Sequence, residues 1–254
     1  MKFWLFLCFL QLSVWSGALR AQEFTIAAAS DLRFALDEIV ALFAEHYPEY
    51  SDDASVIYGS SGRLTTQIIN GAPFDVFFSA DIAFPQRLYA EGLTAIDPAV
   101  YATGRIVLWS ARMDASQMTL NDLLSDDIRR IAIAQPAHAP YGMRAREALQ
   151  SVGVWQAVES KLVFGENIAQ AAQMAESGAA DVGIIALSLA LFPSMQIHPY
   201  ALIDDSLHEP LTQAFVLTLR GRGKPSAQAF AEFMSSEAAR EIMTRYGFVM
   251  PEAN

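Results

Sequence analysis

Asp75-Val76-Phe77-Phe78-Ser79-Ala80-Asp81 is an apolar run that breaks on a serine turn and gives way to an amphipathic stretch over 85–91. Two earlier stretches repeat the arrangement: Ala27-Ala28-Ala29-Ser30-Asp31-Leu32 and Tyr58-Gly59-Ser60-Ser61-Gly62-Arg63-Leu64. Each follows a strand-like run and precedes a segment of helical periodicity, over 32–45 and 64–70 respectively. A helix N-terminus presents unpaired backbone N–H groups and a partial positive charge. Hydroxyls set among such donors can hold an anion without lysine or arginine. Serine is also an ordinary N-cap, so one such junction decides little. Three in the same part of the chain point to a site.

The alternation continues along the chain. Strand-like runs fall at 24–28, 54–58, 76–79, 106–110, 131–134, 182–186, 196–200 and 212–219, with helical periodicity at 120–124, 144–151, 168–176, 226–234 and 236–246. Strand and helix in turn predict an α/β architecture with mostly parallel sheets. No repeat and no long Pro/Gly/Ser linker divides the chain, so two lobes would be joined by strands crossing between them. The candidate crossings are 101–105, leading into 106–110, and 211–219. The last two helices, including Phe233, Met234, Ile242, Met243, Tyr246 and Phe248 at helical spacing, would return to the first lobe as core.

Lys2, an apolar run over 3–15, and small residues at Ser16-Gly17-Ala18 and Ala21 have the layout of a secretory signal peptide, with cleavage expected after Ala21 or Ala18. The run is short for a bilayer span. The single cysteine, Cys8, lies inside it, so the exported chain would have no disulfide or thiolate chemistry. Removal of residues 1–21 takes away Lys2 and Arg20 and no acid, which moves the net charge from −11 to −13. Nucleic acid and anionic lipid are poor partners for such a surface. Any affinity for an anion must be local.

The three serine turns, the Gly71-Ala72-Pro73 that precedes Phe74-Asp75, Gln135-Pro136-Ala137-His138-Ala139-Pro140-Tyr141-Gly142, Gly183-Ile184-Ile185 and the terminal Arg245-Tyr246-Gly247-Phe248 together resemble the periplasmic molybdate-binding proteins of ABC transporters. The resemblance covers essentially all of the chain after the signal segment. Its most specific piece is the GAP-x-D-x-F-x-SAD pattern over 71–81. It implies a type II periplasmic binding protein, with two lobes that are each a mostly parallel sheet flanked by helices, and a ligand cleft between them. The expected division is 1–21 signal peptide, 22–103 first lobe, 104–214 second lobe and 215–254 return to the first. By position, the resemblance places oxyanion contacts on Ser30 and Ser61, on Tyr141 after the Pro-rich turn, and on the Ile168 N–H. Asp31, Ser60 and Ala186 are further candidates. Where some relatives offer a tyrosine hydroxyl after the Gly-Ile strand this chain has Ala186, and the Tyr141 phenol is expected to replace that donor.

Neutral donors suit a desolvated dianion, because a cage of fixed dipoles discriminates by size and protonation. A carboxylate at Asp31 would repel such a ligand, so its side chain is expected to turn away and stabilise the helix start. Asp81 is expected to cap the helix near Phe84 or bridge to Arg63, Ser79 to be structural, and Arg144 and Arg146 to be solvated. His138 reads as a structural hydrogen-bonder, since no other histidine stands at ligand spacing.

The function these features imply is a non-enzymatic exported receptor. It would take a small oxyanion, molybdate and tungstate first, to an ABC permease in the inner membrane, acting as a periplasmic monomer with no cofactor and no nucleic acid. Sulfate and phosphate share the tetrahedral shape and are the alternative ligands. A secreted hydrolase is a distant alternative, since Gly59-Ser60-Ser61-Gly62-Arg63 lacks the spacing of a nucleophile elbow. A sensory effector domain of the same fold would lack its DNA-binding segment.

Overall fold

The computed structural model describes residues 23–51 and 53–251; the expected signal peptide lies outside them. Elements are numbered in chain order. The first lobe holds a sheet in the order β2-β1-β3-β10-β4, built from β1 (Phe24–Ala29), β2 (Ala54–Gly59), β3 (Val76–Ser79), β4 (Ala99–Gly104) and β10 (Leu211–Leu217). The second holds β7-β6-β8-β5-β9, from β5 (Ile106–Trp109), β6 (Ile131–Ala134), β7 (Leu162–Gly165), β8 (Val182–Ala186) and β9 (Tyr200–Leu202). In the first sheet β1, β2 and β3 are parallel and β10 runs antiparallel to both β3 and β4. In the second, β6 is parallel to β7 and β8, and β5 is antiparallel to β8 and β9. Each sheet therefore has one reversed strand, and in each it is the strand that enters from the other lobe.

The period-two pattern of β1 explains its burial on both faces. Ile26 and Ala28 join Val76, Phe78 and Phe215 under α1 (Arg33–His46), α8 (Pro225–Phe233) and α9 (Glu237–Arg245). Ala27 and Phe77 face the other way, against Leu64 and Ile68 of α2 (Ser61–Ile69) and Leu88 of α3 (Ala83–Ala90). Helix α1 presents Ala35, Leu36, Ile39 and Phe43 to the core at helical spacing. It stops at Tyr47, ahead of Pro48, since the residue before a proline is driven out of the α region. In the second lobe α4 (Pro140–Ser151), α5 (Trp155–Val158), α6 (Ile168–Glu176) and α7 (Leu187–Ala190) pack around the apolar strands β6 and β8.

The first crossing is the single residue Arg105 between β4 and β5, beside the expected boundary. The second lies between Leu202 and Leu211, because β10 belongs whole to the first sheet. The expected return at 215 is thus corrected to one before Leu211: β10 pairs along its length with β3 and β4. The expected strand over 196–200 is largely turn, with β9 starting at Tyr200, and the segment 120–124 is a 3-10 helix. The chain tail is pinned to the hinge by paired backbone bonds between Thr103 and Val249, at 2.7 and 3.0 Å.

Candidate functional site

Strand β1 ends where a 3-10 turn, Ser30–Leu32, begins, and β2 ends at Gly59, one residue before the N-cap of α2. In parallel α/β sheets the carboxyl ends of the strands face the crevice where ligands bind. Here they aim two serines at it. Ser61 occupies the first position of α2, fully buried, and its Oγ accepts the Ala80 N–H at 3.0 Å. Ser30 is buried and its Oγ accepts the Ala169 N–H of the second lobe at 3.3 Å.

The second lobe supplies two helix starts. Asn167 caps α6, its side chain accepting from the Gln170 N–H at 3.0 Å, while the Ala171 N–H reaches the Asn167 carbonyl. With the Ala169 N–H on Ser30, the Ile168 N–H is the first-turn donor in none of these bonds. Pro140 opens α4 with its fixed φ and no N–H, which leaves Tyr141 next in line. The turn before α4 meets α2 directly. The Gly62 N–H donates to the His138 carbonyl at 3.0 Å, and Ser60 Oγ lies 2.8 Å from His138 Nδ1. His138 is the structural hydrogen-bonder expected of it, and burial and the nearby Arg63 charge hold its pKa below the usual value. Ser30, Asp31 and Ser60 thus each touch the second lobe, at Ala169, Tyr141 and His138, while Ser61 is bonded to Ala80 of its own lobe and Ile168 opens the helix whose next residue reaches Ser30.

The electrostatics there are unusual. Asp31 is buried, with Oδ2 accepting from Tyr141 Oη at 3.0 Å and from Gln213 Nε2 at 2.7 Å. Its Oδ1 has no hydrogen-bond partner among the described residues. Burial pushes its pKa up to about 6, and the two hydrogen bonds only partly oppose the shift. Burial, with the Asp31 charge behind it, drives the Tyr141 phenol well above its usual range. The expected positions are corrected in two respects. Asp31 turns into the hinge network and caps nothing. The Tyr141 phenol donates to Asp31, so it is not free to stand in for a donor missing at Ala186. Ala186 is buried at the end of β8 and brings no side-chain donor; two residues on, Ser188 Oγ donates to the Asp31 carbonyl at 2.8 Å.

Around this locus the lobes are joined by further contacts. Asp81 accepts the N–H of Ala83, the first residue of α3, at 2.9 Å, though the N-cap position itself falls on Ile82, and its ionic partner is Arg144 at 2.7 Å. Arg144, expected to be solvated, is buried and also pairs with Glu147. Arg63 pairs across the cleft with Glu166 instead. Ser79 is structural, its hydroxyl bonded to the Asp81 backbone. Phe34 of α1 stacks on Phe192 with centroids 3.5 Å apart. Beside Ser30 a cleft of about 510 Å³ opens between Arg33, Phe34, Tyr58, Asn167 and Gln170. Sequence reasoning missed Gln213, Tyr101 and Ser188; the one usable signal was a lone amide in the apolar strand 211–217.

The bacterial extracellular solute-binding protein family matches residues 24–249. The chain is 36% identical over 233 residues to the molybdate-binding protein ModA of Rhodobacter capsulatus, covering 90% of this chain and 89% of that one. It is 32% identical over 233 residues to ModA of Azotobacter vinelandii, covering 91% of each. The solved periplasmic molybdate-binding protein of Azotobacter vinelandii superposes with a TM-score of 0.84 at 30% identity, over 91% of this chain and 100% of that one. A sulfate-binding protein from Mycobacterium tuberculosis shares the fold at a TM-score of 0.70 and 14% identity, over 90% of this chain and 86% of that one. Matched from its first strand to its tail, the chain belongs to the bacterial extracellular solute-binding proteins, among relatives that include the molybdate-binding proteins.

Proposed function

We propose that this protein is the exported receptor of an ABC transporter, capturing molybdate, and tungstate as its near-isostere, between its lobes. The observation that supports the reading is that the serine turns of the first lobe touch the helix-start segments of the second, Ser30 at the Ala169 N–H, and Ser60 and Gly62 at His138. Hydroxyls and backbone amides in a buried setting suit a desolvated dianion, and they return no charge of their own to solvent. The names of the 36% and 32% identical relatives support molybdate over other tetrahedral anions. Capture proceeds by closure of the lobes about the two crossings, as in other hinged binding proteins. The closed receptor, a monomer without further cofactor, then presents its cargo to an inner-membrane permease. The chemistry is binding, with no bond made or broken.

Isothermal titration of the ligand-stripped protein with molybdate, tungstate, sulfate and phosphate tests this. Tight binding of the first two alone is the expected result. Tight sulfate or phosphate binding would keep the site and change the cargo; silence toward all four would overturn the reading. Ser30→Ala and Ser61→Ala should each weaken molybdate binding by about 1–3 kcal/mol with the fold intact. Unchanged affinity in both would remove these serines from the site.

A further inference from the structure

Strand β10 is apolar at Leu211, Ala214, Val216 and Leu217, yet carries one fully buried amide, Gln213. Its pairing with β4 slips between Gln213 and Ala214, an irregularity of the kind that re-aims a side chain. The amide is engaged at both ends. Nε2 donates to Asp31 Oδ2 at 2.7 Å and to Tyr141 Oη at 3.1 Å, while Oε1 accepts from Tyr101 Oη at 2.6 Å. A carboxylate can only accept, so the nitrogen must face Asp31, which fixes the orientation. Gly104 makes the space: a Cβ there would collide with Tyr141 Oη and stand 2.7 Å from Gln213 Nε2. Asp31 belongs to the serine turn of the first lobe and Tyr141 to a helix start of the second. Gln213 and Tyr101 come from the two neighbouring strands at the hinge.

We propose that Gln213 is a positioning residue for oxyanion capture. It holds the Asp31 carboxylate and the Tyr141 hydroxyl together in the closed cleft, and so sets the backbone donors beside Ser30 and Tyr141 in register. It also gives the Asp31 charge a partner on the hinge side, in place of an anion it would repel. The proposal rests on the oxyanion-capture reading above. It assigns to the hinge strand a role in affinity that needs no contact with the ligand.

The test is molybdate titration and stopped-flow dissociation in the wild type, in Gln213→Glu, and in Gln213→Glu combined with Asp31→Asn. Gln213→Glu sets two carboxylates against each other. The added Asp31→Asn restores one donor and one acceptor across the same gap, with the direction reversed. The single variant should bind at least about tenfold more weakly through faster dissociation, and the pair should recover to within about threefold of the wild type. A role in packing alone would not give that recovery. Should the single variant fail to fold, Tyr101→Phe removes the donor to Gln213 and keeps the ring. Faster dissociation then supports the proposal and an unchanged rate overturns it. Wild-type silence toward molybdate, tungstate, sulfate and phosphate overturns the capture reading, and the positioning role with it. Binding by the wild type with unaltered dissociation in Gln213→Glu, or no recovery in the double variant, overturns the positioning role alone.

Discussion

Asp31 is the residue whose chemistry the fold alters most. With its folded pKa raised from 3.8 to about 6, the folded chain binds more protons than the unfolded chain between those values. Unfolding free energy therefore falls as pH rises through that window, and the loss is complete above it. The shift corresponds to a loss on the order of 3 kcal/mol between acid and neutral pH. Asp31→Asn removes the titration and keeps an acceptor for Tyr141 and Gln213. The melting temperature of ligand-free Asp31→Asn should exceed that of the wild type by more at pH 7.5 than at pH 5. Parallel melting profiles across that range would refute the assignment. Ser30 and Ser61 could be read from the chain because a serine between a strand and a helix is a local pattern. The setting of Asp31 could not, since its partners lie 110 and 182 residues away.

Most elements were legible because their period and their caps are local. The exceptions share a cause. Strand β7 is a four-residue edge strand with Phe164 exposed, too short and too mixed to stand out, and its place is set by pairing with β6. Strand β4 reads as a connection until β10 lies beside it. Helix α2 meets the second lobe at Gly62, whose absent Cβ is a matter of contact between elements. A Cβ there would stand 2.7 Å from the His138 carbonyl, which accepts the Gly62 N–H. Within α2 alone, alanine is the better helix former by about 0.5–1 kcal/mol. Gly62→Ala should therefore leave the ligand-free melting temperature unchanged or raised, and weaken molybdate binding by obstructing closure. The pairing of a stable fold with at least about tenfold weaker binding is what calorimetry should find. A variant that binds as the wild type does would mean the lobes close without that contact.

At the scale of the molecule, affinity is the balance between the hydrogen bonds that closure gives the anion and the cost of bringing two lobes together. The alternation of strands and helices foretold an α/β architecture, and the family resemblance implied two lobes. Which charges meet across the cleft was not foretold, because pairing depends on how one lobe is rotated against the other. Thus Arg63, the alternative to a capping role in the expectation for Asp81, faces Glu166, and Arg144 takes Asp81. The second pair is the consequential one: both side chains are about nine-tenths buried, so closing the lobes strips water from two charges. Paired, they roughly offset that cost; with one removed, the closed form holds a buried charge with no ionic partner, a penalty of about 3–5 kcal/mol. In an open form the survivor is solvated and the penalty disappears. Arg144→Met should therefore act mainly on the conformational equilibrium. Molybdate affinity should drop by about two to three orders of magnitude, and the ligand-free protein should scatter X-rays as a more open particle. Adding Asp81→Asn removes the stranded charge, and affinity should recover in large part. If Arg144→Met alone closes and binds as tightly as the wild type, the pair is a bystander, and the hydroxyl and amide contacts close the cleft unaided.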